Sequence, residues 1–352
     1  MSGGVDSSAA AALLLEQGYE VIGVTLKLWP QDCVARAEDK CCGPQAVTDA
    51  RAVCEKLGIP YYLVDESAEF QTRVIHYFAD EYKAGRTPNP CVICNQTLKF
   101  GRLLQRADQL GAHYVATGHF ARLEPSPDGK RMLLRRGRDL RKDQSYFLFS
   151  LSQPQLRRAM FPLGEKTKAD TRDVARDCKL NTAEKEESME ICFVPDNDYG
   201  RFLEQSHLVR RHRGEIVDRN GRVLGYHDGI EFFTIGQRKG LRVAAANPLY
   251  VLELDAANNR VIVGGPEGLE HHEFLVQRCN WIVEETPAAP LEAMVKIRYN
   301  HPGAQATVIP LEAGRARVKL QVPQRAVTPG QAAVFYRDDL VLGGGWIAGR
   351  AA

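Results

Sequence analysis

The chain has 352 residues, which is long enough for two or three domains that each bury a core. No apolar run approaches the roughly 20 residues that cross a bilayer and no charged-then-apolar leader is visible, so we expect a cytoplasmic protein. The formal net charge of +2 does not by itself indicate nucleic-acid binding, although basic residues cluster within residues 131–142 and 210–213. Nine cysteines in such a chain favour thiol or redox chemistry over a structural disulfide framework.

A glycine-rich loop begins the chain and leads directly into a helical run over residues 9–17. The residues of the loop are Ser2, Gly3, Gly4, Val5, Asp6, Ser7 and Ser8. Two adjacent glycines let the backbone turn tightly and approach a ligand, and a helix N-terminus attracts anions through its unpaired N–H groups. The loop lacks the lysine of a Walker sequence, so we predict a phosphate cradle of a different type.

Only Met1 precedes this loop, whereas a phosphate loop of this type usually follows a buried parallel strand. We therefore predict that the first strand of the sheet is missing and that apolar residues belong upstream of Met1. Because the loop would lack its anchoring strand, we expect the chain as given to fold poorly or to have little activity.

Strands and helices alternate through the first half of the chain. The predicted strands cover residues 20–28, 59–64 and 113–117, and the predicted helices cover residues 45–57, 68–83 and 96–110. This alternation is typical of a doubly wound parallel sheet, in which ligands bind beyond the carboxyl ends of the strands. We therefore expect the first loop, Leu26 with Lys27, and Gly118 with His119 to converge on one site.

The pattern changes after about residue 168. A predicted helix over residues 169–178 leads into a polar segment, and short strand-like runs separated by turn signals follow from Gly214 onward. We predict an α/β fold with a doubly wound parallel sheet over residues 1–200, a small β-rich domain over residues 201–275 and a C-terminal β-barrel over residues 276–352.

A C-x-x-C pair, Cys91 and Cys94, lies in the sequence TPNPCVICN. Such a pair is compatible with half a zinc site, a redox pair or chance, and neither a second pair nor a well-spaced His pair completes a zinc site. Cys94 lies just before the predicted helix over residues 96–110. A helix N-terminus would lower the pKa of the Cys94 thiol and favour the nucleophilic thiolate.

The segment SMEICFV places Cys192 between apolar residues. From these residues alone, an inert and buried cysteine is the preferred interpretation. The same interpretation applies to the remaining cysteines, which are Cys33, Cys41, Cys42, Cys54, Cys178 and Cys279.

Six motifs occur in one order along the chain: SGGVDSS, TPNPCVICN, ATGHFAR, KDQSYFL, SMEICFV and GIEFFTIGQRKGL. Together they resemble the tRNA-specific 2-thiouridylases of the MnmA type, over essentially the whole chain. These enzymes belong to the PP-loop ATP pyrophosphatases, with an adenine nucleotide α-hydrolase-like fold. The resemblance implies that ATP adenylates the C2 oxygen of the wobble uridine in tRNA and releases pyrophosphate. A cysteine persulfide then delivers sulfur to C2, and AMP leaves.

The resemblance also implies roles for individual residues. The loop would hold the ATP phosphates together with Mg²⁺, and Leu26 and Gly118 would line the adenine and ribose side of the pocket. Cys192 would carry the persulfide, and Cys94 would resolve the sulfur transfer through a transient disulfide with Cys192. The positions implied to contact tRNA are Asn89, Pro90 and Cys91 at the target base, and His119, Lys142, Asp143, Gln144, Arg298, Tyr299 and Gln331 elsewhere.

Cys91 departs from a common form of the family pattern, because many members carry Asp at this position. Cys91, Cys94 and Cys192 could instead be three ligands of an iron–sulfur cluster that carries sulfide. Two other functions stay open: an amidating PP-loop ligase similar to argininosuccinate synthase, and a tRNA-binding protein without catalysis. The resemblance further implies tRNAs for Glu, Gln and Lys as substrates and a sulfur-donor or sulfur-relay protein as partner. We expect a monomer.

Overall fold

The computed structural model describes residues 1–28, 43–186, 191–194, 196 and 198–349. These residues form two compact units. The first unit contains Met1–Val74, Cys91–Asn197 and Asp339–Val341, and the second contains Ile75–Pro90, Asp198–Asp338 and Leu342–Ala352. Cys33, Cys41 and Cys42 lie outside the described residues. Within the described part of the chain, no helix is long and apolar enough to cross a membrane.

The α-helices are α1 (Val5–Glu16), α2 (Pro44–Leu57), α3 (Ser67–Phe70), α4 (His76–Lys83), α5 (Pro90–Cys94), α6 (Leu103–Gln109), α7 (Gln153–Arg157), α8 (Lys168–Asp177) and α9 (Tyr199–Gln205). The strands are β1 (Gly23–Lys27), β2 (Tyr61–Asp65), β3 (Val115–Ala116), β4 (Ala121–Pro125), β5 (Met132–Arg136), β6 (Ala159–Met160), β7 (Gly214–Val217), β8 (Val223–His227), β9 (Tyr250–Asp255), β10 (Arg260–Gly264), β11 (Glu270–Trp281), β12 (Leu291–Lys296), β13 (Ala304–Leu311), β14 (Arg315–Arg325), β15 (Ala332–Arg337) and β16 (Leu340–Gly349). Segments Gln71–Ile75 and Asn95–Arg102 are π-helical, and 3₁₀ turns cover Ser145–Phe147, Ile230–Phe232 and Pro266–Leu269.

The first unit is built on parallel strand pairs. β1 pairs with β2 and β3 pairs with β6, both in parallel, which confirms the predicted parallel α/β arrangement. The buried face of α1 is rich in alanine, and small side chains let its backbone lie close to α8, against which it packs. A buried cluster joins Ala9, Ala10 and Leu13 of α1 to Phe120 and Leu163. This packing holds the start of α1 close to the residues that follow β3.

An antiparallel hairpin of β4 and β5 also belongs to the first unit. Leu340 pairs with Arg135 of β5, and the carboxylate of Asp339 accepts hydrogen bonds from Arg122 and Arg135. These contacts explain why Asp339–Val341 cluster with the first unit although they lie near the end of the chain.

Two of the predicted helices contain π-helical turns. The helix expected over residues 68–83 is observed as α3, a π-helix and α4. The helix expected over residues 96–110 is observed as the π-helix Asn95–Arg102 followed by α6. Inside that π-helix, Phe100 has a φ of −114° and departs from helical geometry. Because a π-turn bonds residue i to residue i+5, it changes which side chains share a face.

The second unit is dominated by β-structure. A four-stranded sheet has the order β8-β7-β10-β9, and its core contains Ile216, Val251, Val261 and Val263. The six strands β11-β14-β13-β12-β15-β16 follow in that order, and β16 pairs back with β11 to close a barrel. These features confirm the predicted small β-rich region and the C-terminal barrel.

Candidate active site

The N-terminal loop is held in one conformation by its own serines. Gly4 is the extended N-cap of α1, and the hydroxyls of Ser7 and Ser8 donate to the Gly4 carbonyl at 3.1 and 2.9 Å. The Ser2 amide donates to the Ser7 hydroxyl at 3.1 Å, and Val5 is buried. The first amides of a helix have no partner within the helix, so the start of α1 suits an anionic ligand.

Contacts with two neighbouring elements fix the position of the loop. Gly3 has a φ of +66°, and a Cβ at this position would lie 2.3 Å from the carbonyl oxygen of Ala46 in α2. Glycine is therefore required here. The amino group of Met1 donates to the Val24 carbonyl of β1, and the Thr25 hydroxyl donates to the Met1 carbonyl at 2.9 Å. Met1 thus attaches the loop to β1.

Asp6 of the loop forms an ion pair that the sequence analysis did not anticipate. Its carboxylate accepts a hydrogen bond from the Lys168 ammonium at 2.6 Å, and the Lys168 side chain is only 13% exposed. Lys168 is the first residue of α8, and the packing of α8 on α1 brings the two groups together. No sequence motif marks this pair, since 162 residues separate its members.

Gly118 brings the end of β3 into contact with the loop. A Cβ on Gly118 would lie 2.7 Å from the carbonyl carbon of Asp6 and 2.8 Å from the amide nitrogen of Ser7. A larger residue at position 118 would therefore displace the loop. Glycine is needed here because two backbone segments approach closely. The φ of Gly118 is not left-handed, so its backbone conformation alone would not require glycine.

His119 follows Gly118 and is buried. Its Nδ1 shares a hydrogen bond of 2.7 Å with the Thr117 hydroxyl, and its ring packs edge-on against Phe161. Burial and the nearby Lys99 ammonium hold the pKa of His119 well below its ordinary value. The imidazole is therefore neutral at pH 7.

The predicted setting of Cys94 is wrong. α5 begins at Pro90, because proline suits the first turn of a helix, and the π-helix Asn95–Arg102 follows Cys94 directly. Cys94, with φ −59° and ψ −45°, therefore lies inside a helical stretch and not at its N-terminus. Burial raises the pKa of the Cys94 thiol, and the Lys99 ammonium lowers it in part. Burial and the neighbouring Cys94 raise the pKa of Cys91 to about 11. Both cysteines are therefore protonated thiols near neutral pH.

A cavity of about 670 Å³ in the first unit collects residues from several of the predicted motifs. The predicted site residues in its lining are Ser2, Asp6, Ser7, Leu26, Cys94, Gly118, His119 and Gln144. Lys99, which the sequence analysis did not single out, lines the same cavity. The expected convergence of the loop, Leu26 and Gly118 with His119 is thus observed, whereas Lys27 pairs with Asp65 at 2.9 Å.

The same cavity extends between the two parallel strand pairs. Residues 19–22, just before β1, and residues 111–117, around β3, both line it. Leu14 of α1 and Leu110, just after α6, complete an apolar lining. Among the described strands, none joins the two pairs across this space.

Other predicted residues of the first unit lie elsewhere. Asp143 is buried and accepts hydrogen bonds from the amides of Gly137 and Ser145 at 3.2 and 3.1 Å. It also pairs with Arg136 at 3.0 Å, so its carboxylate stabilises the local turn. Cys91, Lys142 and Cys192 are half-buried and do not line the cavity.

Cys94 and Cys192 are both free thiols in this structure. The segment that carries Cys192 is anchored by Phe193, whose ring packs edge-on against Phe70 at 5.8 Å between centroids. Within the described ranges, no group of three or more His, Cys, Asp or Glu side chains could hold a metal ion. Cys91, Cys94 and Cys192 therefore do not form a ready-made iron–sulfur site, and the arrangement does not fit that cluster.

Several residues predicted to contact tRNA belong to the second unit, namely Asn89, Pro90, Arg298, Tyr299 and Gln331. The Gln331 side-chain amide donates to the carbonyls of Thr87 and Pro88 at 3.3 and 3.1 Å. Gln331 therefore supports the segment that leads into α5. Arg298 is exposed just beyond β12, where its charge is accessible to a ligand.

The glycine-rich loop lies at a helix N-terminus beside parallel strands, and it shares a cavity with a buried thiol. This arrangement is that of a nucleotide-binding enzyme domain of the PP-loop class. Three family models match the chain in order. They are a tRNA methyl transferase HUP domain over residues 1–196, a tRNA methyl transferase PRC-barrel domain over residues 200–265 and an aminomethyltransferase β-barrel domain over residues 271–347.

Relatives of nearly the same length identify the family more closely. The chain is 51% identical over 349 residues to the tRNA-specific 2-thiouridylase MnmA of Heliobacterium modesticaldum, covering 99% of this chain and 91% of that protein. It is also 51% identical over 351 residues to the MnmA of Geobacter metallireducens, covering 99% and 95%. The chain belongs to the MnmA family of tRNA-specific 2-thiouridylases.

Proposed function

We propose that this chain is a tRNA-specific 2-thiouridylase, an ATP-dependent sulfurtransferase that replaces the C2 oxygen of the wobble uridine in tRNA with sulfur. One observation carries the proposal: Asp6 and Ser7 of the phosphate loop and the thiol of Cys94 line a single cavity. A nucleotide held by the loop and a uridine held near the thiol would therefore meet in one cavity, as adenylation followed by sulfur transfer requires.

The names of the family models and of the relatives differ. Two of the models are described as tRNA methyl transferase domains, whereas the relatives are named for thiolation. Methyl transfer from a sulfonium donor requires no triphosphate and no nucleophilic thiol. The phosphate loop at the start of α1 and the Cys94 thiol in the same cavity therefore support thiolation.

In the first step the uridine is activated. The C2 oxygen attacks the α-phosphorus of ATP, the bond from that phosphorus to pyrophosphate breaks, and the uridine N3 proton passes to water. The N-terminus of α1 stabilises the anionic phosphates through its amides and its dipole. The Asp6 carboxylate suits Mg²⁺, which prefers oxygen ligands and would neutralise phosphate charge.

In the second step sulfur replaces the activated oxygen. The terminal sulfur of a Cys192 persulfide attacks C2. The Cys94 thiol then gives its proton to N3, which restores the N3–H bond, and its sulfur attacks the Cys192 sulfur. The electrons of the S–S bond pass to the sulfur on C2, and AMP leaves as the C=S bond forms. The resulting Cys94–Cys192 disulfide is reduced by a cellular thiol.

The proposal extends to substrates and partners. We infer tRNAs for Glu, Gln and Lys as substrates, a sulfur-donor or sulfur-relay protein that charges Cys192, and a monomer that acts in the cytoplasm. The half-buried position of Cys192 supports its charging by another protein. The exposed Arg298 supports a role in contacting tRNA phosphates.

Nucleoside mass spectrometry tests the proposal directly. Unmodified tRNA is incubated with the protein, ATP, Mg²⁺ and a persulfide donor. We expect 2-thiouridine with the wild type and with the matched control Cys178→Ser, and none with Cys192→Ser. Thiouridine formation by Cys192→Ser would contradict the persulfide role. AMP release that does not depend on tRNA would favour a ligase, and tRNA binding without AMP release would favour a binding protein.

A further inference from the structure

Lys99 lies in the cavity without an acidic partner. Its side chain lines the same space as Ser7 and Cys94, and no carboxylate of the described residues forms an ion pair with it. The other lysine beside the loop, Lys168, pairs with Asp6 at 2.6 Å. A half-buried cation that no carboxylate neutralises favours binding of an anion from solution.

The π-helical segment explains why Lys99 and Cys94 face the same space. Lys99 follows Cys94 by five residues, and in a regular α-helix this spacing separates side chains by about 140° around the axis. In Asn95–Arg102 the hydrogen bonds run from residue i to residue i+5, which brings residues five apart to one side. Both side chains line the cavity as a result.

Lys99 acts electrostatically on several groups around this cavity. Burial is the largest influence on the pKa of Cys91, Cys94 and His119, and the charge of Lys99 lowers the pKa of all three. His119 directly follows Gly118, which touches the phosphate loop. The ammonium of Lys99 therefore acts on the region that connects the loop with the Cys94 thiol.

We propose that Lys99 binds the α-phosphate of ATP and stabilises its negative charge during adenylation, an inference that rests on the proposed function. The β- and γ-phosphates occupy the loop at the start of α1, and the reacting uridine lies near Cys94. The α-phosphate connects these two places. As the bond from the uridine oxygen to phosphorus forms and the bond to pyrophosphate breaks, the non-bridging oxygens keep their charge, and the ammonium offsets it without transferring a proton.

Separate binding measurements with AMP and with pyrophosphate distinguish a direct contact of Lys99 with the α-phosphate from a purely structural role of Lys99. AMP carries only the α-phosphate, and pyrophosphate carries only the groups assigned to the loop. Calorimetry on the full chain is expected to show AMP binding weakened about tenfold in Lys99→Met, with pyrophosphate binding unchanged, and largely recovered in Lys99→Arg. The control Lys56→Met, at an exposed position of α2, should change neither. Unchanged AMP binding, or an equal loss of both ligands, would overturn the proposal.

The exchange of labelled pyrophosphate into ATP in the presence of tRNA measures the rate of adenylation. It therefore tests whether Lys99 stabilises the transition state of that step. Lys99→Met is expected to slow this exchange by about 100-fold, as removal of one preorganised donor does in other enzymes. Thermal unfolding establishes that the variant is folded, and Lys99→Gln serves as a second variant if it is not. A wild-type exchange rate in a folded variant would overturn the role of Lys99. No exchange by the wild type would instead overturn the proposed function, while AMP binding would still test Lys99.

Discussion

The two units differ in how their strands are paired. In the barrel of the second unit, β11 pairs with both β14 and β16, so that the sheet closes on itself. In the first unit, β1 pairs with β2 and β3 pairs with β6, and no described strand joins the two pairs. A small closed barrel fills its interior with side chains, whereas the ends of open parallel strands leave groups available to a ligand. We therefore expect substitutions in the first unit to change reaction rate or ligand affinity, and substitutions in the second unit to change the free energy of unfolding.

Cysteine substitutions should give the largest difference between the units. Cys94 lines the cavity of the first unit, whereas Cys279 lies in β11, where burial raises its pKa to about 12. We expect Cys94→Ser to lower 2-thiouridine formation by at least about 100-fold, because the nucleophile is lost. Cys279→Ser should keep the wild-type rate. The yield of 2-thiouridine per tRNA measures both variants, and equal losses would contradict the division of roles.

Glycine substitutions should give the next largest difference. Gly118→Ala places a Cβ 2.7 Å from the backbone of Asp6, so we expect ATP affinity to fall at least about tenfold because the loop is displaced. Gly314→Ala, in the turn before β14, meets no atom closer than 4.0 Å but forces alanine to a φ of +64°. Its expected cost is about 1 kcal/mol of unfolding free energy without loss of ATP affinity. Calorimetry and urea unfolding distinguish the two, and unchanged ATP affinity in Gly118→Ala would contradict the loop contact.

Features that depend on local patterns could be predicted from the sequence. The glycine-rich loop at the start of α1, the parallel strands and the barrel follow from glycine placement and from the alternation of apolar residues. The orientation of Lys99 could not be predicted, because the π-turn around Phe100 departs from the regular helical period. The contact between Lys168 and Asp6 depends on helices packing across 162 residues of chain. Asp143 lies in a motif expected to contact tRNA, yet its carboxylate is buried and satisfied by local amides.

Adding a strand to the first unit should join its two strand pairs and so make its sheet more continuous, as the sheet of the second unit is. An extended apolar segment placed before Met1 is expected to pair with β1 and β3 and to cover the apolar residues Leu14 and Leu110, leaving the part of the cavity lined by Asp6, Ser7 and Cys94 open to ATP. We expect the melting temperature to rise by at least about 5 °C, since 1 kcal/mol corresponds to about 2–4 °C for a domain of this size. ATP affinity should rise as well, because the loop would be anchored. A polar segment of equal length is the matched control, and equal melting temperatures for both would contradict the pairing of an added strand with β1 and β3.

Histidine titration should lower the stability of both units, with the larger effect for His119, whose pKa lies well below its ordinary value. Burial lowers the pKa of His119 in the first unit and of His301 in the second. The stabilisation that comes from keeping each ring neutral is complete above the unfolded pKa of about 6.5 and is lost as the pH falls toward the folded pKa. We expect unfolding free energy to drop between pH 7 and pH 5, by up to about 2 kcal/mol per histidine. Urea unfolding should show a smaller drop for His301→Gln, and an identical drop would contradict the lowered pKa.

The most direct measurement is a crystal structure of the full chain with a non-hydrolysable ATP analogue and Mg²⁺. The phosphates are expected on the loop that ends at Ser8, with the adenine against Leu26 and Gly118. The α-phosphate should face Lys99 and the Cys94 thiol, since all of these groups line one cavity. A triphosphate bound away from the loop, or an α-phosphate directed away from Cys94, would contradict a shared site for adenylation and sulfur transfer.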